Sequence, residues 1–138
     1  MTRHFTTFAA AACLALSPLA AAAAELSPET VAGATTVSVD EAVELFDAGV
    51  VFVDVRKDSD FDAGRVPGAV HLDVNSALTE ASLGEYVAKT EPVVFYCNGH
   101  SCLRSSEATE MAVSWGYEEV YYMRDGYPSW EEAGFPIE

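Results

Sequence analysis

The sequence predicts an α/β fold, a mainly parallel central sheet with helices on both faces, and three observations predict it. Val50 to Val55, Pro92 to Tyr96 and Val120 to Met123 are short, nearly continuous apolar runs, the pattern of strands buried on both faces. Between them lie segments with apolar residues at helical spacing, and strands alternating with helices in short units imply parallel pairing. Residues 25 to 138 have the size of one domain with one core, without internal repeats or a long linker.

The first 24 residues read differently. Arg3 and His4 precede an apolar run from Phe8 to Ala24 that closes on Ala-Ala-Ala before Glu25. This is the make-up of a secretory signal peptide, with cleavage expected after Ala24. Ser17 and Pro18 interrupt the run and alanine is only weakly apolar, which argues against a retained membrane anchor. Ala10-Ala11-Ala12 before Cys13 argues against a lipoprotein. The expectation is an exported, periplasmic chain with no membrane attachment after cleavage. Residues 25 to 36 are mostly small or polar and show no period, so a flexible lead-in is expected before a domain over 37 to 138.

The elements follow in order. Val39, Ala42, Val43 and Phe46 fall at i, i+3, i+4 and i+7, one face of a helix. Ser38 and Glu41 are spaced as its capping box, and Gly49 is placed to stop it. The Val50 to Val55 strand comes next, broken only by Asp54. Gly64, Pro67 and Gly68 mark a turn-rich loop before a short apolar strand, Ala69 to Leu72. A helix is expected over Leu83 to Lys89. The strand core Pro92 to Tyr96 ends at Cys97. Ala108, Met111, Ala112 and Trp115 then predict a helix from Arg104 to Trp115, ended by Gly116. Val120 to Met123 is a further strand, and Ser129 to Ala133 a terminal helix before Gly134.

Removing the leader leaves six basic residues against 22 acidic ones, a net charge of −16. No Lys/Arg cluster is present to bind a phosphate backbone, which excludes nucleic acid as a partner. The acidity is read as surface solubility and self-repulsion, and a monomer is expected. Of three cysteines, Cys13 leaves with the leader, so Cys97 and Cys102 remain. In an oxidising compartment two thiols this close in sequence can pair. They form either a local disulfide or a reactive site, and the two are compatible.

In parallel α/β sheets ligands sit beyond the carboxyl ends of the strands. Cys97 lies at such an end, and so does Asp54-Val55-Arg56. From Cys97 the chain enters Asn98-Gly99-His100-Ser101-Cys102-Leu103 and then a helix opening at Arg104. A strand-loop-helix turn gathers backbone N–H groups and the positive end of a helix around the enclosed atom. A thiolate is stabilised there, with Arg104 and His100 adding positive charge, and becomes a usable nucleophile. The competing reading of Cys97 is a buried structural thiol. His71 is read as a strand histidine and Trp130, Tyr127 and Phe135 as core packing near the rim. The cysteines and histidines do not have metal-like spacing, so neither a metal nor a cofactor is expected.

Three stretches together resemble the rhodanese family. Asp54-Val55-Arg56, Phe61 and Gly64-Arg65-Val66-Pro67-Gly68-Ala69 are similar to its first signature. Tyr96-Cys97 followed by Arg104-Ser105-Ser106 looks like its active loop and following helix. Gly126-Tyr127-Pro128-Ser129-Trp130 with Ala133-Gly134-Phe135-Pro136-Ile137 resembles its carboxyl-terminal close. The three lie in register over residues 37 to 138, and it is the combination that is specific. The resemblance implies a sulfurtransferase. Its Cys97 would take a sulfane sulfur from a small donor such as thiosulfate, hold the persulfide among the amides of residues 98 to 104, and pass sulfur to a thiol, a protein thiol among the candidates, or another nucleophile. Asp54 and Arg56 fall where the family's signature supports the loop.

This loop departs from the family's common form. Six residues separate Cys97 from Arg104, two more than usual, so thiosulfate activity does not carry over automatically. The count also differs from the five-residue phosphate loop of Cys-dependent phosphatases, which needs every amide in place. The longer loop brings Cys102, which is either a resolving or sulfur-relay thiol, a passive disulfide partner, or a bystander. Two further functions stay open: a thiol redox protein using the Cys97/Cys102 pair, and a non-catalytic binding module on the same fold.

Overall fold

The computed structural model describes residues 25–138; the expected leader, with Cys13, lies outside the described residues. Ten elements alternate along the chain: β1 Thr35–Thr36, α1 Val39–Asp47, β2 Val51–Asp54, α2 Asp58–Ala63, β3 Val70–His71, α3 Glu80–Gly84, β4 Val93–Tyr96, α4 Arg104–Ser114, β5 Val120–Met123 and α5 Gly126–Glu132. The five strands form one sheet in the order β1-β5-β4-β2-β3, and every pairing is parallel.

The central strands are apolar on both sides because both sides are covered. Val53, Val93 and Phe95 face a core with Leu83 of α3 and Ala108 and Ala112 of α4. Phe52, Val94 and Tyr96 face the opposite core with Ala42 of α1 and Trp130 of α5. In the second core Trp130 meets Phe46, Phe52 and Phe135 edge-on, with centroids 5.2–5.7 Å apart. Such contacts add to the area these rings bury. Tyr121 is partly exposed, whereas Tyr122 on the other face is buried.

α1 starts where its capping box places it: Ser38 accepts from the Glu41 amide, and Glu41 accepts from the Ser38 amide. Four features differ from expectation. The lead-in is tied down rather than flexible. Thr35 and Thr36 pair with Tyr121 and Tyr122, Val31 is buried, and Ser27 is 3% exposed; two residues of strand are too few to show a period in sequence. α2 was not foreseen, because none of its residues is buried and no apolar stripe marks it. α3 starts and ends earlier than Leu83 to Lys89, since a capping box of Thr79 and Ser82 fixes its start. Leu83 and Val87 are both buried, but the second is reached by a turn. α5 opens three residues before Ser129, and Pro128 is tolerated because a first-turn amide needs no helical partner.

Candidate active site

The strand register sets the carboxyl ends level: Asp54 pairs with Tyr96 and with His71, and Tyr96 pairs with Met123. The residues that follow each strand therefore share one rim. Arg56, Asp73, Cys97–Asn98 and Arg124–Asp125 come together there, from four strands.

Arg56 is the hub of the rim. It is 3% exposed beside a fully buried Asp54. Its Nη2 lies 2.6 Å from Asp54 Oδ2 and donates also to the Gly64 carbonyl, while Nε donates to both Asp54 oxygens. Nη1 reaches across to Asn98 Oδ1 at 3.1 Å, so the first rim segment holds the Cys loop. The guanidinium stacks over Tyr127 at 4.6 Å. Burial works against its charge, but the hydrogen bonds and charge of Asp54 together exceed that effect and raise its pKa above the ordinary value. Tyr96, buried beneath, is pushed well above the usual phenol range by burial and then by Asp54, so it stays protonated. Its oxygen accepts from the Val66 amide.

Cys97 follows β4 directly, is 1% exposed, and groups with Val55, Phe95 and Ala108. It is joined to Cys102 in a disulfide, with the α-carbons 6.3 Å apart. The disulfide is one of the two states that the spacing of the cysteines left open: with both sulfurs engaged, a nucleophile exists at position 97 only after reduction. The loop that closes the bridge turns back at Gly99, whose φ is +118°, where the Cys102 amide donates to the Gly99 carbonyl at 3.0 Å. The amides of Asn98, Gly99, His100, Ser101 and Leu103 donate to no other protein atom among the described residues. Gly126 lets β5 and α5 approach the loop. A Cβ there would lie 2.6 Å from the Cys97 carbonyl, which accepts instead from the Tyr127 amide at 2.8 Å.

The expected positive charges are engaged elsewhere. Arg104 Nη1 lies 2.6 Å from Asp73 Oδ1, and half-exposed His100 lies 2.7 Å from Asp125 Oδ1. Neither has a polar contact to the Cys97 sulfur. Leu103 and Cys102 are partly buried, Ser101 exposed. His71 is a strand residue stacked on Phe61 at 4.3 Å, with Nε2 donating to the Arg56 carbonyl.

Sequence reasoning missed five participants. Asp60 accepts from Asn98, Asp73 holds Arg104, and Asp125 holds His100. Ser27 donates from both amide and hydroxyl to the His100 carbonyl, and Arg124 donates to the Ser27 carbonyl. The rule that selected Asp54 and Cys97, polar residues at or just past a strand's carboxyl end, selects Asp73 and Asp125 too. Ser27 carried no signal. Among the described residues no group of three His, Cys, Asp or Glu side chains could hold a metal ion, and no helix is long and apolar enough to cross a membrane. Two surface depressions, lined by residues such as Phe46, Gly49, Val50 and Pro67, lie near the start of β2, and Cys97 lines neither.

A five-stranded parallel sheet with a cysteine loop running from a central strand into a helix defines one α/β domain with a cysteine at the rim of its sheet. The chain belongs to the rhodanese-like domain family, whose model matches residues 38–133. It is 30% identical over 101 residues to the thiosulfate sulfurtransferase GlpE of Pseudoalteromonas translucida, covering 70% of this chain and 89% of that protein. It is similar to the human single-domain sulfurtransferase TSTD1, at 28% identity and a TM-score of 0.60, over 72% of this chain and 96% of that one. A Bacillus halodurans protein, BH2092, shares the fold at a TM-score of 0.66 and 18% identity, over 76% of this chain and 77% of that one.

Proposed function

We propose that this chain is a sulfurtransferase that takes a sulfane sulfur from a donor such as thiosulfate onto Cys97 and gives it to a thiol or another nucleophile. The observation that carries the reading is the place of Cys97, directly after β4, at the start of a loop in which five amides donate to no protein atom among the described residues. Such amides stabilise a thiolate or the terminal sulfur of a persulfide. The sulfurtransferase relatives support the same chemistry. In the first step the reduced Cys97 thiolate attacks the outer sulfur of thiosulfate. The S–S bond of the donor breaks, sulfite leaves with its electron pair, and Cys97 carries a persulfide.

Arg104 acts here through Asp73 as an anchor for the start of α4, and Arg56 through Asn98 as an anchor for the start of the loop. Export is part of the proposal, since a disulfide persists in oxidising compartments. The test is sulfite release by pre-reduced protein freed of reductant. About one equivalent per chain is expected from the wild type, and none from Cys97→Ser. Absence of sulfite from both would overturn the reading. A second reading is favoured by the disulfide itself, a thiol redox protein in which the pair only carries electrons. It predicts reversible oxidation with no sulfite at any stage.

A further inference from the structure

We infer that Cys102 discharges the Cys97 persulfide: its thiol attacks the inner sulfur and expels the outer one as hydrosulfide. The inference rests on the sulfurtransferase reading, because sulfur must first be loaded on Cys97.

The structure contains the bond that this step makes. The Cys97 and Cys102 sulfurs are joined with the α-carbons 6.3 Å apart, inside the range that a disulfide needs. Cys102 is brought there by the main chain. Gly99 adopts a φ of +118°, and the Cys102 amide closes the turn on the Gly99 carbonyl. The loop is also fixed from outside, by Arg56 on Asn98, by Ser27 on the His100 carbonyl, and by Asp73 on Arg104 at the start of α4.

Exposure separates the two sulfurs by role. Cys97 is 1% exposed with the bridge closed and packs in the hydrophobic cluster, so a thiol from outside meets the outer sulfur of its persulfide before the inner one. Cys102 is partly exposed and already within bonding distance of that inner sulfur. Hydrosulfide is a good leaving group, because a less basic sulfur departs faster.

The step balances. Cys97–S–S⁻ and Cys102–SH become the Cys97–Cys102 disulfide and HS⁻. The persulfide S–S bond breaks and takes its electron pair to the departing sulfur. One new S–S bond forms, the Cys102 proton goes to hydrosulfide, and the two cysteine sulfurs supply the two electrons. An external dithiol then reduces the bridge. It attacks at Cys102, the more accessible sulfur, and releases the Cys97 thiolate for the next donor. Per cycle, thiosulfate and a dithiol become sulfite, hydrosulfide and an oxidised dithiol.

The experiment is a single turnover on reduced protein freed of reductant, given thiosulfate, with sulfite, sulfide and intact mass all measured. Wild type is expected to release about one equivalent each of sulfite and sulfide, and to end with the mass of the disulfide form. Cys102→Ser and Cys102→Ala are expected still to release sulfite. They keep one added sulfur on Cys97 and release sulfide at least about tenfold more slowly. Three results would overturn the inference: wild type that keeps its added sulfur, peptide mapping that finds this sulfur on Cys102, or variants that release sulfide at the wild-type rate. Sulfite release by the variants keeps the sulfurtransferase reading standing in each of those cases. If no protein releases sulfite, both readings fall together.

Discussion

At the scale of single residues, the rim depends on one buried ion pair more than on any group near the sulfur. Asp54 is fully buried, and the described partners of its carboxylate are the Arg56 backbone amide and side chain. Replacing Arg56 by Ala would leave that carboxylate in the interior without a counter-charge. A broken buried pair of this kind costs about 3–5 kcal/mol, because the remaining charge is uncompensated. Arg56→Ala is therefore expected to lower the denaturant midpoint by that order. Arg56→Lys is expected to cost less, since it restores the charge but not the fork that serves Asp54, Gly64 and Asn98 together. Equilibrium unfolding of the reduced and the oxidised forms checks both. If Arg56→Ala is as stable as the wild type, the hub role assigned to Arg56 is wrong. The same pair explains why Asp54 and Arg56 stood out in the sequence: charges interrupting a doubly buried strand end must be satisfied locally.

Elements were legible in proportion to what they bury. α1 and α4 could be placed from their apolar spacing, and β5 from its unbroken run, because each covers or crosses a core. α2 has no buried residue, and β1 is two residues long, so neither leaves a hydrophobic pattern. The candidate site divides in the same way. Cys97, Asp54 and Arg56 lie at the ends of apolar strands that point to them, whereas the partners of His100 and Arg104 are partly buried carboxylates whose pairing depends on tertiary register. Caps are the exception, because their chemistry is local. Ser38 accepts from the Glu41 amide at 3.2 Å, and the Glu41 carboxylate accepts from the Ser38 amide at 3.0 Å. Ser38→Ala removes the first of these bonds and is expected to cost about 1 kcal/mol. Thermal melting checks it, and sulfite release should be unchanged because α1 lies on the face opposite the Cys97 core. A variant that loses activity without losing stability would contradict that separation.

At the scale of the whole molecule, the amino-terminal segment works as a strap that joins the far edge of the sheet to the cysteine loop. It enters the sheet at β1 beside β5, buries Val31 against the body, and ends at Ser27 on the His100 carbonyl. Arg124 and Tyr122, both from the β5 side, hold the Ser27 and Pro28 carbonyls at 2.8 and 3.0 Å. Deleting residues 25 to 31 would expose a patch that Val31 covers, at about 1.5–3 kcal/mol for such a side chain. It would also leave the Tyr122 hydroxyl short of a partner, at about 1–3 kcal/mol. The consequence for the site is distinct from that loss. With the His100 carbonyl released, the loop keeps its ties at Asn98, at the His100 side chain and at Arg104, but loses the one on the main chain between Asn98 and Arg104. The bridge then opens to solvent more often, because local opening is governed by the contacts that hold a segment. The shortened chain is expected to show faster amide exchange over 98–103 and faster reduction of the disulfide by a dithiol. Ser27→Ala, which removes the hydroxyl's bonds to the His100 carbonyl and from Arg124 Nε but keeps the amide bond, should move the reduction rate in the same direction by less. Reduction at the wild-type rate in the shortened chain would show that the remaining ties set the loop, and that the strap stabilises the fold without governing the cysteine pair.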